Sequence, residues 1–322
     1  MQGNASGRAM LIALLTKQLT WHVTKKWKRH IGARRPQRRT PWRKSPSLPR
    51  NSLGPLAGKL NPHKYTGLLS FQFDRIYHRV SATLQQPRNQ RHRCTACTLA
   101  PKAQLALVLN YLRDGGRYKR VADLFHVSRP YVCREIHHIT PILYANLDYI
   151  HWPMVWRPHP FENVVGALDG TPHFCHRVHP RQGDLYRGDK HAHFVGAQIT
   201  CSLFGDLYNV ALMLGHNNDQ ANFVISGLRA FVEDNQIYLL ADGGYRHHRL
   251  ITPSKYMPLS WNQKQKLYRS VVETVIGLGK NWSLAAEKYR GQSVFFHAVL
   301  LMLVYQLVAM DLQDFPLRLL DD

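Results

Sequence analysis

Ala167-Leu168-Asp169-Gly170-Thr171, Leu240-Ala241-Asp242-Gly243-Gly244-Tyr245 and Tyr268-Arg269-Ser270-Val271-Val272-Glu273 each present one carboxylate from a different element. Val164 to Leu168 is an apolar run of strand length closed by Asp-Gly-Thr, which predicts a buried strand with Asp169 at its end. Ile237 to Ala241 repeats the arrangement, and the two glycines after Asp242 let the backbone turn sharply. Gln265 to Ile276 contains no breaker and sets Leu267, Val271, Val272, Val275 and Ile276 at helical spacing, so Glu273 belongs to a helix. Between the first two acids, His191 to Leu203 and Leu207 to Leu214 predict strands joined at Gly205-Asp206. Asp219 to Val232, with Phe223, Ile225, Leu228 and Phe231, then predicts one helix.

An Asp-Gly pair after a strand is also ordinary turn chemistry, so each acid alone says little. Three acids delivered to one place by scattered elements are another matter. Without a cation they repel one another and one tends to protonate. Mg²⁺ or Mn²⁺, hard ions that prefer oxygen ligands, remove that cost, and a pair of them clamps the attacking and leaving oxygens in phosphodiester chemistry.

The element order of three strands, helix, strand and later helix resembles the ribonuclease-H-like core of DDE transposases, an α/β fold. In detail it resembles the Harbinger and IS5-like branch. The matching motifs are Leu168 to Thr171, Tyr186 to His191, Gly215 to Asp219, Ala241 to Tyr245 and Arg269 to Glu273, within roughly residues 162–310. The resemblance implies a mixed sheet flanked by helices and a metal-dependent DNA endonuclease, with strand transfer if transposition is active. It also implies Asp169, Asp242 and Glu273 as catalytic and metal-binding acids with Mg²⁺ or Mn²⁺, a Myb-like accessory protein, and a multimer, taken here as a homodimer. Asp219 precedes a helix expected to begin near Gln220, where it suits an N-cap; the alternative is a further metal ligand. Two asparagines separate His216 from Asp219, a departure from the His-Asp adjacency of relatives.

The whole composition agrees with a nucleic-acid partner. The chain of 322 residues has room for two domains and carries a net charge of +23, which calls for a polyanion. No acidic residue precedes Asp74, while Lys25 to Arg29, Arg34-Arg35, Arg38-Arg39 and Arg43-Lys44 crowd the start. Such a segment cannot bury itself; it suits phosphate contact and nuclear import, with a mitochondrial presequence as the alternative. Val294 to Met310 is apolar but interrupted by His297 and Gln306, so it predicts a core helix and no membrane span. Five cysteines, an odd number, argue against a disulfide scaffold; Cys94 and Cys97 have zinc-ligand spacing but no second pair.

Ahead of the catalytic region, Lys102 to Leu112 is helical in pattern and ends at Gly115-Gly116, Tyr118 to Phe125 forms a second helix, and Ser128 caps a third with Pro130 in its first turn. This is a helix-turn-helix pattern, although His126 stands where the turn prefers glycine. Arg129, Tyr131, Arg134 and Glu135 are expected on the outer face of the third helix, with the first three as DNA contacts. Arg187 and Lys190 in a basic ribbon, and Arg269 and Lys280 on either side of Glu273, are the further expected DNA contacts, an intrahelical Arg269–Glu273 pair being the alternative for Arg269. His173, His176 and His179 recur every three residues, but on an extended segment that spacing does not converge three rings. The expected organisation is a basic tail (1–62), a helical DNA-binding region (63–150, helix-turn-helix at about 103–140), a Pro/Trp-rich linker (151–162), an endonuclease domain (163–311) and a short tail (312–322). A DNA-binding descendant without cleavage is the alternative to an active nuclease; an RNA-binding protein is a third reading, but no aromatic stacking string supports it.

Overall fold

The computed structural model describes residues 62–85, 99–177, 182–291 and 293–317. The basic tail before residue 62, Cys94 and Cys97, and His179 lie outside the described residues.

Among the described residues five helices come first: α1 (Pro62–Thr66), α2 (Ser70–Gln85), α3 (Pro101–Arg113), α4 (Tyr118–Leu124) and α5 (Arg129–Asn146). α3 is the centre of this region, buried from Ala103 to Leu112, and it stops where Gly115 and Gly116 both take positive φ. In the turn between α4 and α5, His126 adopts φ 52°, a left-handed conformation that histidine tolerates better than branched residues do. Ser128 caps α5, its Oγ accepting the Tyr131 N–H at 3.3 Å.

The remaining elements build a six-stranded mixed sheet. Its strands are β1 (Val164–Phe174), β2 (Tyr186–Arg187), β3 (Ala192–Cys201), β4 (Leu207–Leu214), β5 (Tyr238–Leu240) and β6 (Leu250–Ile251). They run in the order β2-β3-β1-β5-β6, with β4 also on β3; β1, β3 and β4 are antiparallel neighbours, whereas β1, β5 and β6 are parallel. The first strand is longer than its apolar run suggests. It continues past Asp169 to Phe174 because β3 pairs with it all the way, while β5 pairs only as far as Ala167. Asp169 therefore sits inside a strand, at the point where its parallel neighbour ends, and not at a strand end.

The helix expected over Asp219 to Val232 is two, α6 (Asp219–Ile225) and α7 (Leu228–Asp234). Gly227 breaks it at φ 77°, and the Ser226 Oγ accepts the Leu228 N–H to start the second. α8 (Leu259–Lys280), α9 (Ser283–Ala286) and α10 (Val294–Asp314) complete the fold. Val271, Val272, Val275 and Ile276 of α8 are buried, but Leu267 is exposed.

The sheet separates two apolar layers. Val165, Leu168, Leu239 and Ala241 pack with Phe223, Leu228 and Val232 of α6 and α7. On the other face Ala167 and Leu240 join α8, α10 and the helical region in one continuous core. α10 is the one helix among the described residues long and apolar enough to cross a membrane, yet most of it is buried in this core.

Candidate active site

Strand register brings the first two acids together. Ala167 lies opposite Leu240, the last residue of β5, so Asp169 and Asp242 each follow that pair by two residues, and the charge of Asp242 acts on Asp169. By strand alternation Asp169 shares the face of Ala167, which packs in one core with α8. Glu273 comes from α8, half-exposed, and Arg269 one turn earlier on the same helix reaches across to β1. Arg269 Nη1 donates to Asp169 Oδ2 at 3.0 Å and Nη2 donates to Glu273 Oε1 at 2.5 Å. Asp169 Oδ1 accepts the Gly170 N–H at 2.8 Å, and Asp242 Oδ1 accepts the Gly244 N–H at 2.9 Å. The second glycine after Asp242 thus serves the acid as well as the turn.

Asp219 does not cap its helix. Asn218 holds that position, accepting the Ala221 N–H at 2.8 Å, and Asp219 is the first helical residue. Its carboxylate is directed to the strand ends instead: a Cβ built on Gly170 would lie 2.7 Å from Asp219 Oδ1. Only glycine after Asp169 leaves room for this approach. Tyr245, fully buried, closes the floor; Gln198, opposite Gly170 on β3, donates to the Tyr245 hydroxyl at 3.2 Å and to the Asp219 carbonyl at 3.4 Å. Gln198 was not legible as a site residue, because a lone glutamine in an apolar strand carries no local signal.

The electrostatics show that these acids share one field. Burial pushes the Asp169 carboxyl above the usual carboxylate range, against the Gly170 N–H and Arg269, and the charges of Asp242 and Glu273 push it further. Burial also raises Asp219; Arg187 opposes that shift and Asp242 adds to it. Asp242 is the common neighbour of the two groups. A donor set made only of carboxylate oxygens, two of them held at a desolvation cost, fits a hard divalent cation. Among the described residues the one cluster of three metal-capable donors within 4.8 Å of one another is different: Glu233, His247 and His248. There His247 Nδ1 accepts the Arg249 N–H, so the ring proton is on Nε2, which donates to Glu233 at 2.8 Å. That geometry makes a tie between α7 and the loop after Asp242.

The basic residues divide. Arg187 is held by both Asp189 oxygens, at 2.7 and 2.9 Å, and its charge reaches Asp219, as does that of exposed Lys190. Lys280, at the end of α8, is exposed, and its charge acts on the buried His173. His173 turns into the core, Nδ1–H donating to the Ala285 carbonyl and Nε2 accepting from Tyr305, so it belongs to no histidine site. His216 Nδ1 lies 2.7 Å from the Asp184 carbonyl, tying its loop to the basic ribbon. On α5, Arg129 and Arg134 are exposed as expected. Tyr131 and Glu135 are not: both are buried, and the Tyr131 hydroxyl accepts the Leu99 N–H at 3.1 Å. Packing of α5 on the chain at Leu99 turns this side inward, and burial keeps Tyr131 from a base edge.

Residues 168–308 match the family model described as DDE superfamily endonuclease, and residues 97–148 match the model described as helix-turn-helix of DDE superfamily endonuclease. No curated protein and no solved structure matches the chain. The two matches lie in that order along the chain, and the superfamily named by these models generally uses divalent metals.

Proposed function

We propose, from the DDE superfamily endonuclease domain that this chain carries, that the protein is a transposase-type DNA endonuclease of the Harbinger and IS5-like branch, cleaving phosphodiester bonds by a two-metal mechanism and able to transfer strands. The observation that supports the reading is that the charges of Asp242 and Glu273 act on Asp169, and that of Asp242 also on Asp219, just past the β1–β5 pair.

These four carboxylates would hold Mg²⁺ or Mn²⁺. When bound, the metal supplies charge neutralisation for the scissile phosphate and a more acidic attacking water or 3′-hydroxyl. The chain's own residues do the rest. The Gly170 and Gly244 N–H groups fix carboxylate orientation, so each acid is aimed before substrate arrives. Tyr245 and Gln198, both buried and hydrogen-bonded to each other, would close the apolar side against water. Arg187 and Lys190 flank the Asp219 side, where a phosphate backbone would run, and Lys280 offers a more distant contact. Arg129 and Arg134 on the outer face of α5 would meet the major groove, while the basic tail would add salt-sensitive, sequence-independent affinity and nuclear import. A homodimer and a Myb-like accessory protein complete the proposed assembly.

Nicking of supercoiled plasmid in Mg²⁺ or Mn²⁺ tests the reading, run beside Asp242→Asn and an EDTA control. Metal-dependent nicking that the variant loses supports it. Tight DNA binding without nicking, accessory protein included, refutes it in favour of a DNA-binding role alone.

A further inference from the structure

Arg269 occupies a position that a helical ion pair alone does not require. An Arg and a Glu four residues apart on an exposed face form a weak surface pair. Here the guanidinium is drawn inward to 13% side-chain exposure and divides its nitrogens between Glu273 of its own helix and Asp169 of β1, a hundred positions earlier. With Asp169 Oδ1 turned to the Gly170 N–H, Arg269 takes the remaining oxygen. One positive charge built into the chain is thereby shared between two carboxylates and offsets part of their repulsion before any metal arrives.

We propose that Arg269 is a resident counter-cation that a divalent metal must displace from Asp169 and Glu273, and that the displaced guanidinium then serves an incoming DNA phosphate. This rests on the reading of the four acids as metal ligands. Two divalent cations would by themselves neutralise four carboxylates, so a guanidinium kept among them becomes an excess positive charge at close range in a partly desolvated site. A phosphate at the mouth of the site offers that guanidinium a bidentate partner in exchange. Metal and DNA then favour each other's binding, because each removes Arg269 from the competing position, and the coupling is reciprocal. The same residue holds the metal-free site together and sets the threshold for loading it.

The test is Mn²⁺ binding to the full-length protein by calorimetry, with and without a short DNA duplex, in wild type, Arg269→Gln and Arg269→Lys. Arg269→Gln is expected to bind Mn²⁺ about tenfold more tightly than wild type without DNA and to lose most of the tightening that DNA causes. Arg269→Lys keeps the charge and stays near wild type. Equal or weaker binding in Arg269→Gln overturns the proposal, as does equal tightening in both variants. Asp169→Asn and Asp242→Asn separate the two levels: if these leave Mn²⁺ binding intact, the metal reading itself has failed. A measurement on the wild type guards against a misfolded variant. Phenylglyoxal labelling of Arg269, read by peptide mass spectrometry, rises when Mn²⁺ is added if the residue is displaced, and an unchanged level overturns the proposal.

Discussion

Acidification loosens this fold through two buried rings. His173 near the end of β1 and His297 on α10 are both fully buried; His173 is engaged by the Ala285 carbonyl and Tyr305, and His297 is stacked on Tyr289 at 4.2 Å. Burial pushes His173 down to about 4 and His297 down to about 3. Above pH 6.5 each ring is neutral in the folded and the unfolded chain, and the linkage is nil. As the pH falls below 6.5 the unfolded chain takes up protons that the fold excludes, so stability drops until the folded value is reached. Between pH 6.5 and pH 5 this amounts to about 2 kcal/mol per ring, from about 1.4 kcal/mol per unit of pH. The assay is urea unfolding at pH 7.5 and pH 5.0, comparing wild type with His173→Gln, whose amide can still donate to the Ala285 carbonyl. Taking the difference cancels every titration the two proteins share. Wild type should lose about 2 kcal/mol more than the variant over this interval. Equal losses would show that His173 protonates as readily in the fold as outside it, and the reasoning would be wrong.

Other outcomes are equally specific. Gly170→Ala should leave stability within about 1 kcal/mol of wild type, since Ala suits a strand no worse than Gly, but should weaken Mn²⁺ binding about tenfold by forcing the Asp219 carboxylate aside; calorimetry on the folded variant decides it. Tyr131→Phe removes the acceptor of the Leu99 N–H and should cost about 1 kcal/mol in unfolding while leaving DNA affinity unchanged in a gel-shift assay, whereas Arg129→Ala should weaken DNA binding with stability intact. Ser128→Ala should cost about 1 kcal/mol through loss of the α5 cap, read as a lowered unfolding midpoint.

The sequence by itself determined what depends on neighbours along the chain. Apolar runs closed by Asp-Gly marked β1 and β5, unbroken helical spacing marked α8, and the Gly115-Gly116 stop, the Ser128 cap and the strained His126 marked the helix-turn-helix, because caps, turns and periodicity act within a few residues. It also supplied the acids and the order in which they arrive. Only the tertiary structure decided how far β1 runs, since its extension to Phe174 is set by the length of β3, and which side of α5 faces inward, since that depends on where α3 and the chain at Leu99 lie. It moved the cap from Asp219 to Asn218 and turned Asp219 toward the strand ends, through a gap that exists because Gly170 has no side chain. It placed Arg269 between Asp169 and Glu273, a contact across a hundred residues that no local pattern encodes. Local preferences choose elements; register and packing choose which side chains meet.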